Sequence, residues 1–334
     1  MFRTLVACLV IALPLPALAG RADAILDQHV LPGFAELAAS GDALLKAAQA
    51  DCHAAAAPLR DAYARAFDAW VRVSHLRFGP TERDNRGFAL AFWPDSRSST
   101  PKTLTALIQN EDPIVHDPKA FPTVSIAGRG FYAMEYLLFD QRLGTLGDDA
   151  YRCALIQAIA QDIATTSQDV DQDWRQTYAA LMRTPEEGSV YQSKAEVLQE
   201  FYKALDTGLQ INADLRLGRP LGTFDKPRPK RAEAWRSDRS LRHLQLSLVQ
   251  LRELARLLAA DDADLAQRLQ AKFDAALTKV DALDDPAFAG VATLAGRFRV
   301  EALQQSVNDI RAEVTQSLGP ALGVSVGFNS LDGD

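Results

Sequence analysis

The 334-residue sequence contains few of the side chains that most often bind metals. It has 3 cysteines, 3 methionines and 5 histidines, and the histidines lie at positions 29, 53, 75, 116 and 243. None of them begins an H-x-x-E or H-E-x-x-H motif, the arrangement that places two zinc ligands and a base on one helix. The histidine pattern therefore gives little support to metal-dependent hydrolysis.

Strand patterns and long apolar runs are also scarce. β-Branched residues seldom alternate with polar ones, and no second apolar span follows the one at the N-terminus. Alanine and leucine are abundant, which favours helices. The formal net charge of −7 makes nucleic acid an unsuitable partner. We therefore expect an all-α chain that has no transmembrane segment once its N-terminal segment has been cleaved.

The N-terminus has the pattern of a secretory signal peptide. Arg3 supplies a positive charge, residues 5–15 are mostly apolar, and Ala17-Leu18-Ala19 forms a small-x-small cleavage site. The apolar run is too short for a membrane span. We expect residues 1–19 to be a signal peptide and the mature protein to be exported to the periplasm.

Two cysteines remain after such cleavage, Cys52 and Cys153. An oxidising compartment favours a disulfide between them, and the alternative is a pair of unpaired core cysteines. Two cysteines cannot form a thiolate-rich zinc site by themselves.

Apolar residues recur at helical spacing in most of the chain. The segments with this pattern are 59–73, 130–139, 148–181, 191–209, 241–258, 265–280 and 300–318. Long connections separate some of them, over residues 79–128 and after residue 217. We expect two four-helix-bundle-like halves with long irregular loop insertions, an N-terminal bundle over 20–182 and a C-terminal bundle over 190–334.

Glu135 lies in an otherwise apolar run, where an ionised carboxylate needs a partner. One interpretation is a structural ion pair with Arg129 or Arg77, and the other is a metal- or substrate-binding carboxylate. Tyr132 shares a helix face with Glu135, and by itself it would be a core aromatic residue.

Several motifs in one order resemble the imelysin-like family, also classed as peptidase family M75. The segment Gly130-x-Tyr132-x-x-Glu135 resembles the family signature G-x-H-x-x-E, with tyrosine in place of histidine. The further matches are Arg77–Pro80, Phe92–Asp95, Arg236–Leu241 and the tail from Leu322 to Asp334, which includes an F-N-x-x-D-G-D pattern.

The resemblance implies a periplasmic or surface protein of two helical bundles that is tied to bacterial iron uptake. It implies iron as the bound metal and iron-transport components of the cell envelope as partners. Because Tyr132 replaces the signature histidine, the site is either a re-tuned one, with Glu135 and Tyr132 as candidate ligands, or retained only as a structural relic. A phenol suits ferric iron better than divalent metals. The expected site lies at the bundle junction and comprises Trp93, Asp95, Tyr132 and Glu135, with Ser237 and Arg239 from the second bundle.

The leading functional hypothesis is non-catalytic binding of iron or of an iron-bearing ligand or partner. The alternatives are a metal-dependent peptidase using Glu135 and a scaffold that binds no ligand. Ser240 and His243 are one helical turn apart, but we interpret Ser237 and Ser240 as helix caps rather than nucleophiles. We interpret the basic run 226–231 as a solvated loop, with an acidic partner or an anionic membrane as the alternative.

Overall fold

The computed structural model describes residues 16–324. The predicted signal peptide lies outside the described residues except for the backbone of residues 16–19, and it stays a prediction. The tail segment F-N-x-x-D-G-D also lies outside them.

The described chain is all-α, as predicted. Within residues 16–324 the nearest approach to a strand is one isolated bridge between Thr223 and Lys226. The α-helices of the first half are α1 (Pro16–Ile25), α2 (Leu31–Ala50), α3 (Ala57–Val73), α4 (Arg86–Leu90), α5 (Ser99–Asn110), α6 (Gly130–Phe139), α7 (Asp149–Asp173) and α8 (Ala179–Arg183).

The second half begins after α8. Its α-helices are α9 (Lys194–Gln210), α10 (Gly218–Leu221), α11 (Ser240–Leu258), α12 (Ala263–Asp281), α13 (Leu294–Glu313) and α14 (Gly319–Ala321). π-Helical segments continue several of these helices without a break, at Leu26–Val30, Trp174–Tyr178, Ile211–Leu217 and Val314–Leu318.

Side chains in the sequence fix where several of the long helices begin. The carboxylate of Asp148 accepts a hydrogen bond from the backbone N–H of Tyr151 at the start of α7. Ser193, Asp262 and Thr293 cap α9, α12 and α13 in the same way. Each cap satisfies a backbone donor that the first turn leaves free.

Each half contains a ring of four contacting helices. In the first half α2, α3, α6 and α7 contact one another in turn, and in the second half α9, α11, α12 and α13 do so. Gly41 of α2 allows α7 to approach, because a Cβ at this position would lie 3.2 Å from the Cα of Ala164. The two bundle-like halves predicted from the apolar spacing are therefore confirmed.

The two bundles share one hydrophobic core. Helix α11 packs against α3, and α1 packs against α9 and α11 of the other half. The predicted division into an N-terminal bundle over 20–182 and a C-terminal bundle over 190–334 stays a prediction.

The predicted irregular connection over residues 79–128 contains more regular structure than expected. It includes α4, α5 and short 3₁₀ turns. Asp95 stabilises α5, since its two carboxylate oxygens accept hydrogen bonds from the backbone N–H groups of Ser99 and Thr100, each at 2.8 Å. Among the described residues, no helix is long and apolar enough to cross a membrane.

A buried histidine pair lies where the two bundles meet. His29 is in the π-helical segment before α2, and His75 follows the end of α3 at Val73. The Nε2 atoms of the two histidines are 2.8 Å apart. Burial lowers the pKa of His29 to about 4, against a smaller opposing effect of Glu253. Burial and then the neighbouring charges lower the pKa of His75 well below its ordinary range.

We expect this pair to make the fold sensitive to acid. Both histidines are neutral in the folded chain, whereas in the unfolded chain they bind protons below a pH of about 6.5. The stability is therefore complete above about pH 6.5 and is lost as the pH falls towards about 4, by about 3 kcal/mol for His29 alone. Urea denaturation at pH 7.5 and pH 5 measures the difference.

The matched variants separate this pair from other acid-sensitive groups. In His29→Gln/His75→Gln the loss of stability between the two pH values should shrink, whereas in His116→Gln, where the histidine is exposed, it should match the wild type. Equal acid sensitivity in all three proteins would contradict the prediction.

Candidate functional site

A cleft of about 390 Å³ opens between α6, the first long connection and the segment that precedes α11. Aromatic and charged side chains dominate its walls. The lining residues with these side chains are Phe92, Trp93, Asp95, Tyr132, Glu135, Tyr136, Arg219, Lys230, Arg231, Trp235 and Arg236.

Gly130 fixes the position of α6 in the wall of this cleft. Its φ is +70°, a conformation that other residues rarely adopt. A Cβ at this position would collide with the carbonyl oxygens of Ala89 and Leu90 in α4. The glycine thus lets α6 begin directly against α4, and both Tyr132 and Glu135 then line the cleft.

Glu135 is buried and is held by the second half of the chain. Its Oε1 accepts hydrogen bonds from the backbone N–H of Ser237 at 3.1 Å and from the Ser237 hydroxyl at 2.8 Å. Burial raises the pKa of Glu135, although the Ser237 hydrogen bonds and Arg236 oppose the shift. A carboxyl group with a raised pKa in a cleft is a common property of functional sites.

The predicted ion pair of Glu135 with Arg129 or Arg77 is wrong. Arg129 forms a two-point ion pair with Asp162, at 2.9 and 2.7 Å. Arg77 instead pairs with Glu82. Neither pairing could be chosen from the sequence, because it depends on how α6, α7 and the first long connection pack together.

Tyr132 belongs to a buried network centred on Glu233. Its hydroxyl donates to Glu233 Oε1 at 2.5 Å, and the Nε of Arg216 donates to Glu233 Oε2 at 2.6 Å. The Nδ1 atom of His243 lies 3.3 Å from the same Oε2. Burial and then Glu233 raise the pKa of Tyr132 well above its ordinary value. The phenol is therefore a neutral donor that ties α6 to the loop carrying Glu233.

Trp93 and Asp95 enter the cleft from the first long connection. The Trp93 ring stacks near Tyr132, with ring centroids 6.4 Å apart, and the guanidinium of Arg219 lies 5.7 Å from the Trp93 ring centroid. Both carboxylate oxygens of Asp95 accept backbone hydrogen bonds from α5, so this side chain is already partnered.

The residues of the second half that the sequence singled out, Ser237, Ser240 and Arg239, do not share one location. Ser237 donates to Glu135, and the hydroxyl of Ser240 donates to the carbonyl of Glu233 at 2.5 Å. Their interpretation as helix caps is wrong, because the residue that precedes α11 is Arg239 and no side chain caps this helix. Arg239 pairs with Asp68 of α3 and is not among the residues that line the cleft.

Cations outnumber carboxylates in the cleft. Arg236 pairs with Asp140 at 3.1 Å and lies 3.8 Å from the ring centroid of Tyr136. In the part of the chain that the structure describes, the other three lining cations, Arg219, Lys230 and Arg231, form no ion pair. Burial, and then repulsion by Arg231, lowers the pKa of Arg219.

These surroundings do not fit a bare metal ion. The Tyr132 phenol is a neutral donor to Glu233, Glu135 is held by Ser237, and positive charges line the same cleft. Within residues 16–324 no group of three or more His, Cys, Asp or Glu side chains is placed to hold an ion. Metal binding by Glu135 and Tyr132 stays a prediction.

No sequence motif marks the network around Glu233 or most of the cations that line the cleft. Glu233 and Arg216 lie far from Tyr132 in the sequence, and no local pattern marks them. Lys230 and Arg231 belong to the basic run that was interpreted as a solvated loop. Two sequence features could have indicated that these cations form part of a site. One is the density of cations in the run, and the other is Pro229, which is typical of a fixed turn.

The fold is that of an all-α protein of two packed four-helix bundles, and the cleft lies at their junction. The chain belongs to the imelysin family, because the family model described as Imelysin (Peptidase_M75) matches residues 30–314.

Two solved structures have a similar fold. An imelysin-like protein from Psychrobacter arcticum 273-4 is similar with a TM-score of 0.78 and 19% identity, covering 93% of this chain and 97% of that one. A protein described as a "putative iron-regulated protein A precursor" from Parabacteroides distasonis ATCC 8503 has a TM-score of 0.74 and 14% identity, covering 91% and 94%. A comparison with curated protein sequences found no match.

Proposed function

We propose that this chain is a non-catalytic binding protein of iron acquisition, which holds an iron-bearing ligand in the cleft beside Tyr132 and Glu135. The observation that carries the proposal is the cleft itself, built on α6 and closed by residues of the second half. Membership of the imelysin family and the name of the iron-regulated structural neighbour support the connection with iron.

The compartment and partners follow from the same proposal. The signal-peptide pattern and the disulfide between Cys52 and Cys153 are consistent with a periplasmic protein. A periplasmic iron-binding protein must deliver its cargo, so we propose iron-transport components of the cell envelope as its partners.

Iron retention by the purified mature chain tests the proposal. The protein is mixed with ferrous iron without oxygen, or with ferric citrate, and the metal is measured after desalting. We expect about one iron per chain from the ferric chelate. Glu135→Ala should weaken its binding by about tenfold, because it removes a hydrogen-bonding carboxyl group from the cleft wall.

Control variants and thermal melting show whether a loss of iron binding results from unfolding. Glu187→Ala changes an exposed glutamate outside the cleft and should retain iron as the wild type does. Thermal melting checks that Glu135→Ala and Tyr132→Phe remain folded. If the wild type retains no iron from either form, the proposal is wrong.

The peptidase alternative has one observation in its favour, the raised pKa of the buried Glu135, since a general base needs such a shift. Cleavage of an unstructured protein that stops on addition of a chelator, and is lost in Glu135→Gln, would establish it. A scaffold without a ligand would show neither cleavage nor iron retention.

A further inference from the structure

The uncompensated charge of the cleft is positive, although the whole chain is acidic. The cleft contains two carboxylates. Asp95 accepts hydrogen bonds from backbone N–H groups of α5, and Glu135 accepts a hydrogen bond from Ser237 and lies near Arg236. Arginines in the interior are paired, as in Arg129 with Asp162 and Arg216 with Glu233. Arg219, Lys230 and Arg231 have no anionic partner within the described residues, although Arg219 lies over the Trp93 ring and Lys230 over the Trp235 ring.

The backbone segments that carry these cations are joined to each other by a hydrogen bond. Arg219 belongs to α10, and Lys230 and Arg231 form the 3₁₀ turn Pro229–Arg231. The backbone N–H of Arg228 donates to the carbonyl of Pro220 at 2.8 Å and so joins the turn to α10. The hydrogen bond fixes the relative position of the two backbone segments, which limits the entropy that is lost when a charged ligand binds.

Like charges destabilise this arrangement when no ligand is bound. Repulsion by Arg231 contributes to the lowered pKa of Arg219, and the Arg219 Nε is buried without a hydrogen-bond partner among the described residues. An anion placed between these groups would relieve the repulsion and supply the missing acceptor. Guanidinium groups match carboxylate and phosphate oxygens in geometry.

Aromatic rings limit the shape of the ligand. Trp93 and Tyr132 form one wall, and Trp235 lies under the ammonium of Lys230, whose Nζ is 5.6 Å from the ring centroid. The cleft volume of about 390 Å³ is sufficient for a compact small molecule.

We propose that the cleft recognises a small, multiply charged anion through its carboxylate or phosphate oxygens, by means of Arg219, Lys230 and Arg231. This inference rests on the proposed function, in which the iron-bearing ligand is then an anionic chelate rather than a free cation.

Iron-free anions test the inference directly. Citrate provides the carboxylate probe and pyrophosphate the phosphate probe, each titrated into the mature chain. Trp93 and Trp235 line the cleft, so tryptophan fluorescence reports binding, and calorimetry gives the Kd. We expect at least one probe to bind, and to bind more weakly as the salt concentration rises, because salt screens exposed charges.

Charge-neutral variants localise the effect. Arg219→Gln and the pair Lys230→Gln/Arg231→Gln should each raise the Kd by at least about tenfold, as expected for loss of charge-assisted hydrogen bonds. Lys226→Gln removes a positive charge from the same loop outside the cleft lining and should leave the Kd unchanged. A binding probe also shows which of the two oxygen chemistries the cleft prefers.

Two results would overturn the inference: failure of both anions to bind, or equal binding by the wild type and the charge-neutral variants. If iron is nevertheless retained as one atom per chain, the proposed function stands and only the anionic nature of the ligand is wrong. If anions bind but no form of iron is retained, the inference stands and the proposed function fails.

Discussion

Replacing Glu233 by alanine is expected to lower the free energy of unfolding by about 3–5 kcal/mol. The Glu233 carboxylate is buried and accepts hydrogen bonds from Tyr132 at 2.5 Å and from Arg216 at 2.6 Å. Burial disfavours its ionised form, but Arg216 and His243 outweigh burial and hold the pKa of Glu233 below its usual range. The variant would leave the Arg216 guanidinium buried without a countercharge, and this accounts for the size of the effect.

Urea denaturation at neutral pH measures this change. Asp274→Ala is the matched control, because it removes the exposed partner of Arg252, and an exposed ion pair contributes about 1 kcal/mol or less. Tyr132→Phe should cost less than Glu233→Ala, since it removes one hydrogen bond and leaves the ion pair intact. If Glu233→Ala destabilised the protein no more than Asp274→Ala does, the network would not have the role assigned to it.

Loss of the disulfide is the second large effect that we expect. Cys52 follows α2 and Cys153 lies in α7, and the bond joins residues 101 apart in the sequence. A cross-link over so long a loop restricts the unfolded chain strongly, so its removal should cost about 2–5 kcal/mol. The measurement compares the denaturation midpoints of the oxidised wild type and Cys52→Ser/Cys153→Ser.

Reduction provides an independent control for this prediction. A reducing agent should lower the midpoint of the wild type to about that of the double variant, and it should not change the double variant itself. The two bundles share one core, so we expect a single cooperative transition in both proteins. An unchanged midpoint in the double variant would show that packing of α2 against α7 fixes these segments without the cross-link.

The network around Glu233 gives a tyrosine at position 132 a structural role. In the family signature that the segment resembles, this position is a histidine. Here the phenol donates to a carboxylate on the loop that also carries Lys230 and Arg231, so Tyr132 helps to position one wall of the cleft. The residue can therefore influence the proposed ligand site without binding the metal.

Helices with a clear apolar stripe were predictable because the spacing of their apolar residues is local information. Helices α3, α6 and α11 are examples. Helix α2 was not predicted, because Pro32, Gly33 and Gly41 are typical helix breakers. In the structure Pro32 directly follows the π-helical segment Leu26–Val30, where the helical hydrogen-bond pattern already differs from that of an α-helix. Gly41 packs against Ala164 of α7, a contact that no local pattern reveals.

Part of the candidate site was predictable and part was not. Trp93, Asp95, Tyr132 and Glu135 were named from motifs, and the structure places all four in the lining of one cleft. Their individual roles differ from the motif-based expectation, because Asp95 stabilises α5 and Tyr132 donates to Glu233. Arg219, which no motif marks, contributes to the cleft only because α10 packs beside the turn that carries Lys230 and Arg231.

The sequence alone determined the helical class and the placement of Tyr132 and Glu135 on one helix face, and it favoured the Cys52–Cys153 disulfide that the structure contains. Only the tertiary structure decided that Glu135 is held by Ser237 and that Tyr132 bonds to Glu233, 101 residues away. Helical spacing follows from backbone geometry that each segment contains within itself. The partner of a buried charge depends instead on which distant segments the shared core brings together.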